Sequence, residues 1–152
     1  MDLAQYDLEW LERLEALSGA FRRGVLVLAA VLGLAVLLIV GNTIRLSIHN
    51  RRAEIEVAKL VGATDAFVRR PFLYLGLWLG LAGAVLAWVL VALAIALLQG
   101  PAGRVAALYQ SGFTLHGLGP GEGLVVVAGG ALLGLAGAWV AVAQHLQDIQ
   151  PG

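Results

Sequence analysis

The side chains that most often carry out catalysis or bind metals are few in this sequence and widely separated. The chain has no cysteine, which excludes thiolate metal sites and thiol catalysis. Its three histidines, His49, His116 and His145, do not have the spacing of a metal site. No glycine-rich stretch carries the Lys-Ser/Thr of a phosphate-binding loop, so we expect no ATP site of that kind. The sequence therefore predicts a protein that is not an enzyme and has no cofactor of its own.

The densest group of charged side chains predicts a short helix over residues 51–61. Arg52 with Glu56, and Glu56 with Lys59, are spaced as ion pairs on one helix. Apolar residues form a separate face of the same helix: Ala53, Val57, Leu60 and Val61. The residues leave two interpretations open, a solvated loop whose charges only set topology and a helix that receives a partner.

The end of this helix is predicted at Gly62, because glycine readily adopts the left-handed conformation that follows a helix. Thr64 or Asp65 can then cap the next helix, which would enter an apolar run near Pro71. A short helix in such a tight turn would move with the elements on either side of it.

Composition shows what those elements are. Hydrophobic residues make up 60% of the 152 residues and charged residues only 13%. A soluble domain of this length cannot bury so much apolar surface, whereas a lipid bilayer can cover it. The chain also has 20 glycines, and glycine is more frequent in membrane helices than in soluble ones.

Three runs without a charged residue are long enough to cross a bilayer, which takes roughly 20 apolar residues. They predict transmembrane helices at 24–44, 71–98 and 123–143. The other segments are a basic segment at 45–70, a loop at 99–122 beginning with the turn Gln99-Gly100-Pro101, and a tail at 144–152. We therefore predict an all-α integral membrane protein with three transmembrane helices.

Basic residues predict the orientation in the membrane. The segment 45–70 carries six of the ten lysines and arginines, whereas 99–122 carries only Arg104. The positive-inside rule places 45–70 and the tail in the cytoplasm and 99–122 on the outer side of the membrane. Arg22 and Arg23 favour the opposite orientation.

Residues 1–23 predict an amphipathic helix next to the membrane. Its apolar stripe consists of Leu3, Tyr6, Trp10, Leu14, Leu17 and Phe21. Such a stripe suits the membrane interface or a soluble domain, and both interpretations remain open. Because no export signal precedes this segment, we expect a further spanning helix upstream of Met1. Translocation by the first span itself is the alternative.

Small residues predict where the spans pack together. Gly76 and Gly80 are four residues apart, as are Gly130 and Gly134, and this spacing lets helix backbones approach closely. We expect these positions to join helices of this chain rather than to form a homodimer face. Asn42, the only strongly polar residue in any predicted span, is expected to hydrogen-bond a neighbouring helix.

Several segments resemble the FtsX family of ABC-transporter membrane subunits over roughly 24–151. They are Gly41–Ile48 (GNTIRLSI), Arg51-Arg52, Lys59–Asp65 (KLVGATD), Arg70–Tyr74 (RPFLY) and the tail QHL ending near Pro151. The Lys-x-x-Gly-Ala element is shared with MacB-type permeases, and the RPFLY and QHL elements narrow the resemblance to FtsX.

The resemblance implies a role in bacterial cell division at the septum, in the inner membrane. Members of the family have four spans, so this chain would hold the last three. The loop 99–122 would be periplasmic, and residues 1–23 would be the end of a periplasmic domain. The implied protein partners are the ATPase FtsE, a second FtsX copy and a periplasmic amidase activator that regulates peptidoglycan hydrolysis. FtsE would bind the ATP. Membrane lipid is a further expected partner, and nucleic acid is not expected. The segment 45–70 would be the coupling segment, and FtsE would contact its helix through Arg51, Arg52, Glu54, Glu56, Lys59, Leu60, Gly62 and Ala63. The alternative is a MacB-like exporter of a lipid, peptide or drug.

Overall fold

A computed structural model describes residues 2–108 and 116–147 of the chain. This part of the chain consists of four α-helices: α1 (Asp2–Asn50), α2 (Arg52–Leu60), α3 (Asp65–Leu108) and α4 (Pro120–Leu146). Helices α1, α3 and α4 are long and apolar enough to cross a membrane. The prediction of an all-α membrane protein with three spanning helices is confirmed.

Helix α1 joins segments that the sequence predicted separately. It includes the described part of the amphipathic segment, the whole run 24–44 and the beginning of the segment 45–70. The chain divides into two compact units, of which the first ends at Ala35 and the second begins at Val36. None of the side chains described in the first unit is buried, so its apolar stripe is uncovered within that unit.

Helix α3 extends beyond the end that the sequence predicted. The prediction of a turn at Gln99-Gly100-Pro101 is wrong, because α3 continues to Leu108 with Pro101 inside it. A proline removes one backbone hydrogen bond and strains a helix, but it need not end one. Residues 109–115 of the predicted loop and 148–152 of the predicted tail lie outside the described residues.

Helix α4 begins at Pro120, three positions before the predicted span. Proline is favoured in the first turn because its missing N–H would have no helical partner there. The backbone N–H of Gly119 donates to Oε2 of Glu122 at 3.3 Å, so the Glu122 carboxylate satisfies a backbone donor at this end of the helix.

The core of the second unit lies where α1, α3 and α4 meet. The most extensive contact is between α3 and α4, which run antiparallel. Buried residues of α3 recur at spacings of four or eight: Val68, Phe72, Gly76 and Ala84. Those of α4 include Gly134, Ala138, Val142 and Leu146, and α1 adds Val40, Ile44 and Ile48. Spacings of four place each set along one helix face, so three narrow faces build the core.

Candidate functional site

Helix α2 lies at one end of the core, and Ile55 fixes it there. The side chain of Ile55 is only 5% exposed. It belongs to the same apolar cluster as Ile48 of α1, Phe72 of α3 and Leu146 of α4. One buried side chain thus connects the short helix to a cluster built by all three long helices. We refer to this region as the α2 end.

The opposite face of α2 is uncovered. Its apolar side chains are strongly exposed, with Val57 at 60%, Leu60 at 81% and Val61 at 84%. Ala53, the fourth member of the face predicted from the sequence, is exposed as well. No helix in the described part of the chain covers these residues, so this face is available to a partner. We call it the outer face of α2.

Short connections tie α2 to the helices before and after it. Arg51 alone separates α1 from α2, and its backbone N–H donates to the carbonyl oxygens of Ser47 and Ile48, each at 3.2 Å. Beyond α2, Gly62 has a φ of +98°, the left-handed conformation that the sequence predicted for the helix end. The hydroxyl of Thr64 accepts a hydrogen bond from the backbone N–H of Phe67 at 3.4 Å, so Thr64 caps α3.

Two ion pairs lie in or next to this turn, and the partner of Lys59 differs from the prediction. Nε of Arg52 lies 3.1 Å from Oε1 of Glu56, as the four-residue spacing predicted. Lys59 does not pair with Glu56; its Nζ lies 3.5 Å from Oδ1 of Asp65 instead. Glu56 is already engaged by Arg52, and the turn at Gly62 brings Asp65 back within reach of Lys59. The second pair therefore links α2 to the start of α3.

Other predicted partner-binding residues divide between exposed and partly buried positions. Arg51 and Glu54 are exposed and line a cleft of about 200 Å³ between α2 and α3, together with Phe67 and Pro71. Ala63 is half-buried and packs against the core cluster. It therefore positions α2 rather than offering a docking surface.

The four predicted packing glycines lie at one contact between α3 and α4. A Cβ built on Gly76 would lie 2.6 Å from the carbonyl oxygen of Gly134, and one built on Gly80 would lie 3.0 Å from the carbonyl carbon of Gly130. Only residues without a Cβ allow the two backbones to approach this closely. We call this region the glycine contact.

Sequence reasoning missed the residues that extend the glycine contact. A Cβ on Gly123 would lie 2.5 Å from the ring of Trp88 in this contact. A Cβ on Gly137 would lie 3.2 Å from Val40, at a separate contact between α4 and α1. Ala84 continues the four-residue spacing of Gly76 and Gly80, a signal that could have identified it. Asn42 is not part of this contact. Its side chain is exposed and lines a cavity at the α2 end.

Three helices that can cross a membrane, a glycine contact between two of them and a short helix at one end define a multi-pass α-helical membrane protein. Residues 26–148 match the family model described as FtsX-like permease C-terminal. The chain therefore belongs to the FtsX-like permease family.

Relatives in several bacteria are similar over nearly the whole chain. The cell division protein FtsX of Aeromonas hydrophila is 47% identical over 151 residues, which cover 99% of this chain and 48% of the relative. That of Pseudomonas putida is 49% identical, with 99% and 44% covered. That of Bacillus subtilis is 34% identical over 146 residues, with 93% and 48% covered. The chain thus spans about half the length of the relatives it matches.

Proposed function

We propose that this chain is the transmembrane part of a cell-division subunit that receives motion from the ATPase FtsE at α2 and transmits it across the inner membrane. The single observation that carries the proposal is the two-sided environment of α2. Ile55 is 5% exposed in the core, whereas Leu60 on the outer face is 81% exposed. One face would hold the helix on the bundle while the other binds the partner.

The outer face suits a protein partner better than water. Exposed apolar side chains in a group mark interaction sites when polar residues surround them. Here Arg52 and Glu56 lie on the same helix, and both side chains are more than half exposed, at 55% and 53%. An apolar centre with a charged edge is the usual composition of a protein interface. The face is small, which fits a transient or multi-part contact.

Motion of α2 would reach the spans through short connections. The backbone N–H of Ala63 donates to the carbonyl oxygen of Ala58 at 3.0 Å, which keeps the turn after α2 compact. Lys59 and Asp65 bridge the same turn at 3.5 Å. Because Ile55 packs in the same cluster as Phe72 and Leu146, a displacement of α2 would press on α3 and α4 together.

ATP hydrolysis and peptidoglycan hydrolysis would be carried out by other proteins. ATP would be bound and hydrolysed by FtsE on the cytoplasmic side, where the positive-inside rule places the segment 45–70. This chain would be non-catalytic, and with a second copy in the complex it would act at the division septum. An amidase activator of peptidoglycan hydrolysis would be reached through periplasmic parts of a full-length subunit.

The test is co-purification with FtsE after co-expression in a bacterial membrane. Val57→Glu with Leu60→Glu should reduce recovery of FtsE at least tenfold, because two carboxylates would have to be desolvated at the interface. The matched control is Ala66→Glu, which adds a carboxylate at an exposed position in the first turn of α3, where negative charge is tolerated.

A charge reversal at Arg52, on the edge of the outer face of α2, is a second test of FtsE docking. Arg52→Glu should weaken FtsE binding, and Arg52→Glu with Glu56→Arg should restore the ion pair but not the binding. ATPase stimulation by the reconstituted membrane subunit is measured in parallel. If FtsE co-purifies with the outer-face variant as it does with the wild type, α2 is not the docking helix and the proposal fails.

A further inference from the structure

A cavity of about 470 Å³ opens at the α2 end, between the last turns of α1, the first residue of α2 and the end of α4. Its polar lining consists of Asn42, Arg45, His49, Arg52 and His145. The volume lies in the range of small-molecule sites, and no carboxylate is among the lining residues. A cavity lined by two arginines, two histidines and an amide favours an anion.

The polar lining residues from α1 form a row along one face of the helix, together with Leu46. Asn42, Arg45, Leu46 and His49 have the spacing i, i+3, i+4 and i+7, which keeps them on the same side of a helix. At 1.5 Å per residue, this row from Asn42 to His49 is about 10 Å long. Asn42 lies within the uncharged run 24–44, whereas Arg45 and His49 lie just beyond it. The cavity therefore extends from the apolar layer into the headgroup layer of the membrane.

The partners of the lining side chains show which of them can bind a ligand. Arg52 is paired with Glu56 at 3.1 Å. Among the described residues, Arg45 has no ion pair, so its guanidinium is the cation that can accept an anionic group. Nδ1 of His145 donates to the carbonyl oxygen of Ala141 at 3.0 Å, so Nε2 is the ring nitrogen left to bind a ligand. An ideal ligand thus has a negatively charged oxygen for Arg45 and a hydroxyl for His145.

We propose that this cavity binds the headgroup of an anionic phospholipid that also carries a hydroxyl, of which phosphatidylglycerol is the simplest type. The phosphodiester oxygens lie against the Arg45 guanidinium, the amide of Asn42 donates to the deeper ester oxygens, and a headgroup hydroxyl donates to Nε2 of His145. Basic pockets between membrane helices are suited to such headgroups. Leu46 borders the cavity and is 56% exposed, so acyl chains can follow the lipid-facing surface of α1 from there.

The test measures lipid binding to the purified full chain in a non-ionic detergent by native mass spectrometry. Phosphatidylglycerol and phosphatidylcholine with identical acyl chains are titrated separately, with inorganic phosphate as a third probe. Arg45→Gln should weaken phosphatidylglycerol binding about fivefold, the equivalent of about 1 kcal/mol for one arginine near anionic lipid. Arg45→Lys keeps the charge and should retain most of the affinity.

The matched control is Arg70→Gln, an exposed arginine near the start of α3 that does not line this cavity. It should leave binding unchanged. Asn42→Ala is a second variant in the lining of the cavity, and it should weaken phosphatidylglycerol binding about threefold through one lost hydrogen bond. Arg52 is left intact in every variant, so a failure of lipid binding is distinguishable from a failure of FtsE docking on α2.

Three results would overturn the proposal. The first is equal affinity for phosphatidylcholine and phosphatidylglycerol, which would exclude recognition of charge. The second is an equal loss of binding with Arg45→Gln and Arg70→Gln, which would show only a general electrostatic attraction. The third is displacement of phosphatidylglycerol by equimolar inorganic phosphate, which would make the site one for a free anion rather than a lipid.

Discussion

Gly80 of α3 lies against Gly130 of α4, backbone to backbone. A Cβ on Gly80 would come within 3.0 Å of the carbonyl carbon of Gly130 and 3.1 Å of Cα of Gly134. The neighbouring atoms are backbone and cannot rotate away, so Gly80→Ala should force the helices apart. We expect it to lower stability by about 1–3 kcal/mol, the usual range for overpacking. Thermal unfolding in detergent, followed by size-exclusion chromatography, measures the change.

The control for this prediction is Gly83→Ala on the same helix. A Cβ at Gly83 meets nothing within 4 Å, and alanine is the better helix former. This variant should be neutral or slightly stabilised. Equal loss of stability in the two variants would mean that α3 and α4 do not pack through the glycine contact.

Ile55 and Val57 provide a second pair of variants, two residues apart on α2. Ile55→Ala should destabilise the docking of α2 by about 2 kcal/mol or more, because it leaves a cavity in the core cluster. Val57→Ala should change stability by less than about 0.5 kcal/mol, since Val57 is 60% exposed.

Amide hydrogen exchange over α2 distinguishes the two effects. It should accelerate in Ile55→Ala and remain at the wild-type rate in Val57→Ala. The proposed FtsE contact adds a further contrast, because Val57→Ala should weaken FtsE binding without loosening α2. Slow exchange in the Ile55 variant would mean that another side chain anchors the helix.

Uncharged runs were sufficient to predict the three spans, because length and apolarity decide whether a helix can cross a bilayer. Helix ends were harder to predict. Gln99-Gly100-Pro101 has turn chemistry, but α3 continues through it to Leu108. Propensity is a weak guide there, since neighbouring helices and local adjustments can satisfy the backbone groups that a proline frees in a membrane helix.

The α2 end shows what periodicity could and could not establish. The apolar face of Val57, Leu60 and Val61 was visible in the sequence, but its exposure was not. Ile55 lies off that face, and only its contact with the core cluster identifies it as the anchor. The pairing of Lys59 with Asp65 depends on how the chain turns at Gly62, which spacing along one helix cannot predict.

Gly62 should tolerate substitution poorly for conformational rather than steric reasons. Its φ is +98°, and a Cβ there meets nothing within 4 Å. Gly62→Ala should therefore lower stability by about 1–2 kcal/mol, the usual penalty for a left-handed non-glycine residue. Gly62→Asn should be milder, since asparagine visits that region more easily.

The comparison for Gly62 is Gly41→Ala, another site where a Cβ meets nothing within 4 Å. Gly41 lies inside α1, so alanine should be neutral or favourable there. Thermal unfolding of the three variants ranks them. A Gly62→Ala protein as stable as Gly41→Ala would show that the turn can adopt another backbone conformation.

The ion pair between Lys59 and Asp65 should contribute little to global stability but should couple two helices locally. The Lys59 side chain is 15% exposed and that of Asp65 is 61% exposed, so we expect about 0.2–1 kcal/mol, reduced by added salt. Asp65→Asn also removes a favourable charge from the first turn of α3, so a single variant overstates the pair. A double-mutant cycle with Lys59→Gln isolates the interaction energy.

The cycle for Arg52 and Glu56 is the control, because that pair lies within one helix. Breaking the Lys59 pair should accelerate hydrogen exchange both in α2 and at the start of α3, whereas breaking the Arg52 pair should affect α2 alone. Identical exchange patterns for the two pairs would mean that the bridge across Gly62 does not couple α2 to α3.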